Sequence, residues 1–145
     1  MPRNAWLVAG GLLSAAAAVL HLAIIAGGPD WYRFFGAGEG MALMAERGMM
    51  RPALIAVGIA AILAIWAAYA FAGAGLIRRL PLIRTALVSI SAVYLLRGLA
   101  PLAMLVLRPD LVDAFLLWSS AIVLVYGLCY AIGTRRAWAA LSDRR

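Results

Sequence analysis

The chain has no lysine, one cysteine and one histidine. Each shortage excludes a class of chemistry. Cys129 alone can form neither an internal disulfide nor a CxxC redox pair. His21 alone cannot supply both imidazoles of a bis-histidine haem within one chain. Zinc hydrolysis would need three ligands drawn from His21, Glu39 and Glu46, which is a strained set. No cofactor and no metal are therefore expected. Acids are also scarce: six Asp and Glu stand against thirteen Arg in 145 residues, for a formal charge of +7.

What the chain does have is apolar length. Hydrophobic residues make up 66% of it, and the mean hydropathy of +0.97 lies far above that of soluble domains. Four stretches, about 5–25, 53–77, 82–107 and 111–132, are each long enough to cross a hydrocarbon layer of about 30 Å. A span in lipid must satisfy its own backbone hydrogen bonds, so each reads as a helix. The expected fold is an all-α integral membrane protein: one four-transmembrane-helix bundle over 1–145, with a short interfacial helix in the first, outer loop, 26–52. Arg3 ahead of an apolar run has the outline of a signal peptide. The run is too long, however, and lacks a small-x-small cleavage site before Gly27, so an uncleaved first helix is expected.

The basic charge is distributed as topology, not as a nucleic-acid patch, and no nucleic-acid partner is expected. Arg3, Arg78, Arg79, Arg84, Arg135, Arg136, Arg144 and Arg145 make eight on the side of the termini. Arg33, Arg47, Arg51 and Arg108 make four in the first and third loops. Acids show the reverse bias, with only Asp143 on the termini side. The positive-inside rule then puts both termini in the cytoplasm, with the basic flanks against anionic headgroups. Size, Ala/Arg-rich composition and the lack of an organelle signal place the chain in a bacterial inner membrane, and membrane lipids are its expected partners.

Two spans carry small-residue faces. The second has Ala56, Ala60, Ala64, Ala68 and Ala72 at a spacing of four, and the first has Gly10, Ser14, Ala17, Ala18 and His21. Small faces let helices approach closely; these two spans read as a closely packed pair, and the same faces offer a route to homo-oligomers. The third and fourth spans, bulkier in Leu, Val and Ile, read as outer-packing. A tight connection, Arg108-Pro109-Asp110, makes them antiparallel neighbours.

The most informative residue is Arg97, inside the third span. Arg84 and Arg108 flank it at 13 and 11 residues, which is about 20 and 16 Å of helix, so Arg97 falls near the midplane. An arginine there costs about 2.5–3.5 kcal/mol on insertion scales and normally faces protein or a water-filled cavity. Tyr94 is expected to share its face. Pro101 removes the amide that would bond the carbonyl of residue 97. His21 lies about 12 Å below the outer boundary, counted from Pro29. The outer loop adds Glu39 and Glu46, with Asp30 as a candidate helix cap and Trp31-Tyr32-Arg33-Phe34-Phe35 as interface aromatics. Glycines 36, 38 and 40 follow no strand, so they read as turn geometry and not as a phosphate cradle.

The expected site is thus an outward-opening polar pocket formed by Arg97, His21, Tyr94, Glu39 and Glu46, with Trp31 near its apolar part. It would bind a lipid or another amphipathic anion. The alternative is a small transporter or channel subunit with His21, Arg97 and the Glu pair lining an ion or proton route. A weaker alternative is a membrane enzyme using His21 and a Glu as acid–base partners. The bland readings are an Arg97 brace on backbone carbonyls, a hydrogen-bonded packing histidine and solvated surface acids.

Overall fold

The computed structural model describes residues 4–142. Arg3, Asp143, Arg144 and Arg145, which entered the charge count, lie outside the described residues. In chain order the helices are α1 (Ala5–Gly27), α2 (Pro29–Phe34), α3 (Glu39–Glu46), α4 (Arg51–Gly73), α5 (Ile83–Leu107) and α6 (Ala114–Ser142), with a 3₁₀ turn at Pro109–Leu111. No strand occurs among the described residues. Helices α1, α4, α5 and α6 are each long and apolar enough to cross a membrane. The chain is a multi-pass membrane protein.

Several boundaries differ from the sequence reading, each for a physical reason. Helix α4 ends at Gly73, four residues before the apolar run stops. Gly75 takes φ 75°. The amides of Gly75 and Leu76 donate back to the carbonyls of Ala72 and Phe71. This is a Schellman ending, which closes the helix whatever the hydropathy beyond it. Helix α6 starts later than expected and runs ten residues further, to Ser142. Apolarity marks where lipid ends, not where a helix does. The outer loop holds two helices instead of one. Pro29 occupies the first turn of α2 behind Gly28, the position where its missing N–H is harmless. Asp30 makes no cap bond.

The molecule divides into two compact units. The first holds the chain up to Ser14 together with everything from Trp66 on; the second is Ala15–Ile65. In the first unit, α5 and α6 are antiparallel and very close. A Cβ placed on Gly98 would lie 2.8 Å from the Leu124 Cα, and one on Gly127 would lie 2.9 Å from the Leu95 amide nitrogen. Only glycine permits this approach. The third and fourth spans are therefore the antiparallel neighbours that the tight connection implied, and they pack closely. The pairing also fixes a register: 98 stands opposite 124, 95 opposite 127, and Arg84 stacks 4.0 Å over the Trp138 ring. The same unit brings α1 onto α4, with Gly11 against the Phe71 ring and Gly73 against Leu7.

The alanine stripe of α4 needs a correction. Ala56 and Ala60 are buried, but Ala64 is exposed. A step of four residues overshoots a turn of 3.6, so a strict four-spacing winds off any one face. The buried line follows the alternating three-and-four pattern through Ala56, Ala60, Leu63, Ala67 and Ala70 and on to Ala74 just past the helix end, and Ala72 of the stripe is buried as well. On α1, Gly10, Ser14 and Ala18 are buried. Ala17, His21 and Ala68 on these faces are half-buried, and Ala64 is exposed.

In the second unit, Tyr32 of α2 and Ala42 of α3 bury against Ile24 near the end of α1, with Leu20, Phe35, Met41 and Ala45 around them. The outer loop is thus a folded helical hairpin with its own small core.

Candidate functional site

Arg97 stands ten residues before the end of α5, about 15 Å of helix. Its guanidinium does not stay at that depth. Nη1 donates to the Ser120 hydroxyl, and Nη2 to Ser119 Oγ at 3.4 Å. In the α5–α6 register Ser120 stands opposite residue 102, so the charge leans five residues, about 7.5 Å, toward the α5–α6 turn. The side chain runs along an exposed face of the α5–α6 pair, as a snorkelling arginine does. Arg97 thus stands near the middle of α5, with its guanidinium reaching toward the turn end of the helix.

The residue is exposed. Arg offers more N–H donors than the two spent here and has no acceptor. Ser119 donates its own proton to the Leu116 carbonyl at 3.2 Å. Ser120, buried at 2% exposure, accepts from Arg97. Both serines accept from Arg97, and the guanidinium is the cluster's one charged group. Also on α6, Ala114, Leu117 and Trp118 line an open apolar hollow that includes neither Arg97 nor the two serines.

Tyr94 does not share this face. It is 5% exposed and points into the first unit, where it joins a hydroxyl chain. Tyr130 OH donates to the Trp66 carbonyl at 3.0 Å. Its single proton thus spent, Tyr130 accepts from Ser14 at 2.9 Å, and Ser14 in turn accepts from Tyr94 at 2.8 Å. The proton directions are fixed by the carbonyl at the end. Trp66 and Tyr126 meet the Tyr94 ring edge-on at 4.9 and 5.5 Å. Residues three apart on a helix differ by about 60° around the axis, enough to turn Tyr94 inward and Arg97 outward.

The outer-loop residues form a separate cluster. Arg33 donates through Nε and Nη2 to both oxygens of Glu39 at 2.8 Å, and through Nη2 to Glu46 at 2.6 Å. Asp30 accepts from Nη1 at 3.3 Å. The carboxylates that the sequence reading offered to Arg97 are engaged by Arg33. Their hydrogen bonds push the Arg33 guanidinium above its ordinary range, and Arg33 holds Glu39 below the usual carboxylate range. Trp31 lies 5.7 Å from the Phe35 ring and is exposed, as is Phe34. His21 is half-buried, and its Nδ1–H donates to the Ala17 carbonyl at 2.8 Å, which leaves Nε2 as the acceptor.

At the opposite end of the first unit is an arginine–tryptophan belt. Arg84 stacks on Trp138, Arg136 lies 5.6 Å over Trp6, and Arg79 donates to the Leu141 carbonyl. These contacts tie the polar end of α6 to the start of α5, to the start of α1 and to the α4–α5 loop.

Sequence reasoning missed Ser119, Ser120 and Arg33 as partners. The serines had a signal: two adjacent hydroxyls in an apolar span, within arginine reach once a tight turn pairs the last two spans. Comparison with known protein families, curated proteins and solved structures finds no match to this chain.

Proposed function

We propose that the protein is a bacterial inner-membrane protein that binds a lipid or another amphipathic anion at Arg97, Ser119 and Ser120. The observation that supports this most is the donor surplus: an exposed guanidinium inside an apolar span, engaged only through two neutral hydroxyls, with N–H groups to spare. The apolar hollow on α6 supplies surface for the hydrocarbon part of such a ligand. Tyr94 acts indirectly, by pinning α5 through Ser14.

Native mass spectrometry of the purified protein tests the reading. An anionic amphiphile should accompany the wild type and be lost in Arg97→Ala; identical ligand content in the two would overturn it. The arginine bias places both termini in the cytoplasm and opens the site toward the periplasm. A periplasmic reporter fused after Asp30 should be active and one fused after Arg136 silent. The reverse pattern inverts the orientation.

A further inference from the structure

We propose that α2 is a lipid anchor: its aromatic face docks at the membrane interface beside the end of α1, and α3 is held on the water side. Arg97 plays no part in it. Three observations carry it.

The first is how α2 divides around its axis. Trp31, Phe34 and Phe35 stand three and four residues apart, so they share one face. Their rings meet in series, Trp31 to Phe35 at 5.7 Å and Phe35 to Phe34 at 5.0 Å between centroids. Tyr32 turns instead into the hairpin core with Ile24 and Ala42. Arg33 turns to a third side, where Asp30, Glu39 and Glu46 engage it. Folding has sorted a mixed run of five residues into a core side, a charged side and an aromatic side. The aromatic side is left largely uncovered: Trp31 is exposed, and Phe34 keeps 74% of its surface open.

The second is the contrast with α3. The exposed residues of that helix are Glu39, Gly40, Leu43 and Glu46, with Arg47 just beyond its end. One apolar side chain stands there among three charged ones. Water suits this face, and an apolar medium suits the outer face of α2. The interfacial helix expected in the outer loop is therefore α2.

The third is continuity with a span. Val19, Leu22 and Ala26 are exposed along one side of α1, a helix long and apolar enough to cross a membrane. Gly27 follows, and the Trp31 ring lies directly on it, in space that a Cβ at position 27 would fill. The aromatic face of α2 thus begins where the apolar flank of the span ends. Aromatic rings settle at such a boundary, and a helix apolar along one side lies in its plane.

The test uses the full chain in phosphatidylcholine nanodiscs. Cys129→Ala removes the one native thiol, and a nitroxide is placed at Phe34→Cys or at Gly40→Cys, one position at a time. Gly40 is exposed, and a Cβ there meets nothing within 4 Å. Collisions with oxygen, which concentrates in lipid, should dominate at position 34. Collisions with a water-soluble nickel chelate should dominate at position 40. Equal access of the chelate to both positions overturns the anchor. So does spin–spin broadening at 34 that disappears on dilution with unlabelled chain, because a second copy then covers the face. A second measurement needs no label. Hydrogen exchange of the α2 amides should rise severalfold in Phe34→Glu and stay near wild type in Phe34→Leu, because lipid expels a carboxylate and accepts a leucine. Phe34 lies outside the hairpin core, so both variants should melt like the wild type. Equal exchange in the two variants overturns the proposal, whatever the labelled chains show.

Discussion

Two arginines in this chain solve the same electrostatic problem in opposite ways. Arg33, outside the spans, gathers three carboxylates from α2 and α3. Arg97, within a span, gathers none in those same helical terms and rests on two serine hydroxyls of α6. A carboxylate beside water needs no shelter, so the loop can collect several around one cation. Within an apolar span a second charge must itself be desolvated, and two neutral acceptors satisfy part of a guanidinium without that penalty. Arg33 spends four of its five N–H groups on carboxylates, and Arg97 spends two of five on hydroxyls. On the proposed reading, Arg33 is a structural clasp and Arg97 is the group that meets the ligand.

The largest expected effect tests the scaffold on which Arg97 depends. Gly98 is adjacent to it and lets the α6 backbone come within contact distance. Gly98→Leu must push the helices apart, because the atoms it meets include Leu124 backbone and cannot rotate away. Overpacking of this kind costs about 1–3 kcal/mol. Thermal unfolding in detergent should fall accordingly, and Arg97 should lose its serines, so ligand content should drop with the arginine still in place. Unchanged melting would mean that the close α5–α6 approach is not what holds the pair. A lowered melting temperature with full ligand content would mean that Ser119 and Ser120 do not help to build the site.

The fold was largely legible, and the reason is the solvent. Hydropathy and length identify spans because lipid removes every alternative to a helix. Packing was less legible. Small residues advertise close approach, but the alanines of α4 follow a spacing that drifts off the face, while single glycines at 98 and 127 do more in a background of leucines. Arg97 stood out because of its cost, and its partners did not, because serine in a span is cheap and common. Helical phase was the finest detail lost. A 60° difference between Tyr94 and Arg97 separates a buried hydroxyl relay from an exposed guanidinium.

The smaller effect belongs to the clasp, and its pH dependence has a definite sign. Arg33 holds the Glu39 carboxyl below its ordinary value near 4.5. A lowered folded-state value means that Glu39 contributes stability above the ordinary carboxylate range, which is lost only as pH falls through the lowered value. The α2–α3 hairpin should therefore show the same hydrogen exchange, corrected for intrinsic rates, at pH 7 and pH 5, and open only below about pH 4.5. Arg33→Ala leaves Asp30, Glu39 and Glu46 facing one another without their shared cation. Its α3 amides should exchange faster at neutral pH, and acid should now slow them, because protonation relieves the repulsion. Ligand content should stay at the wild-type level, since the clasp and the binding group are different arginines. Loss of the ligand in Arg33→Ala would end the division of labour between them and make the outer hairpin part of the site.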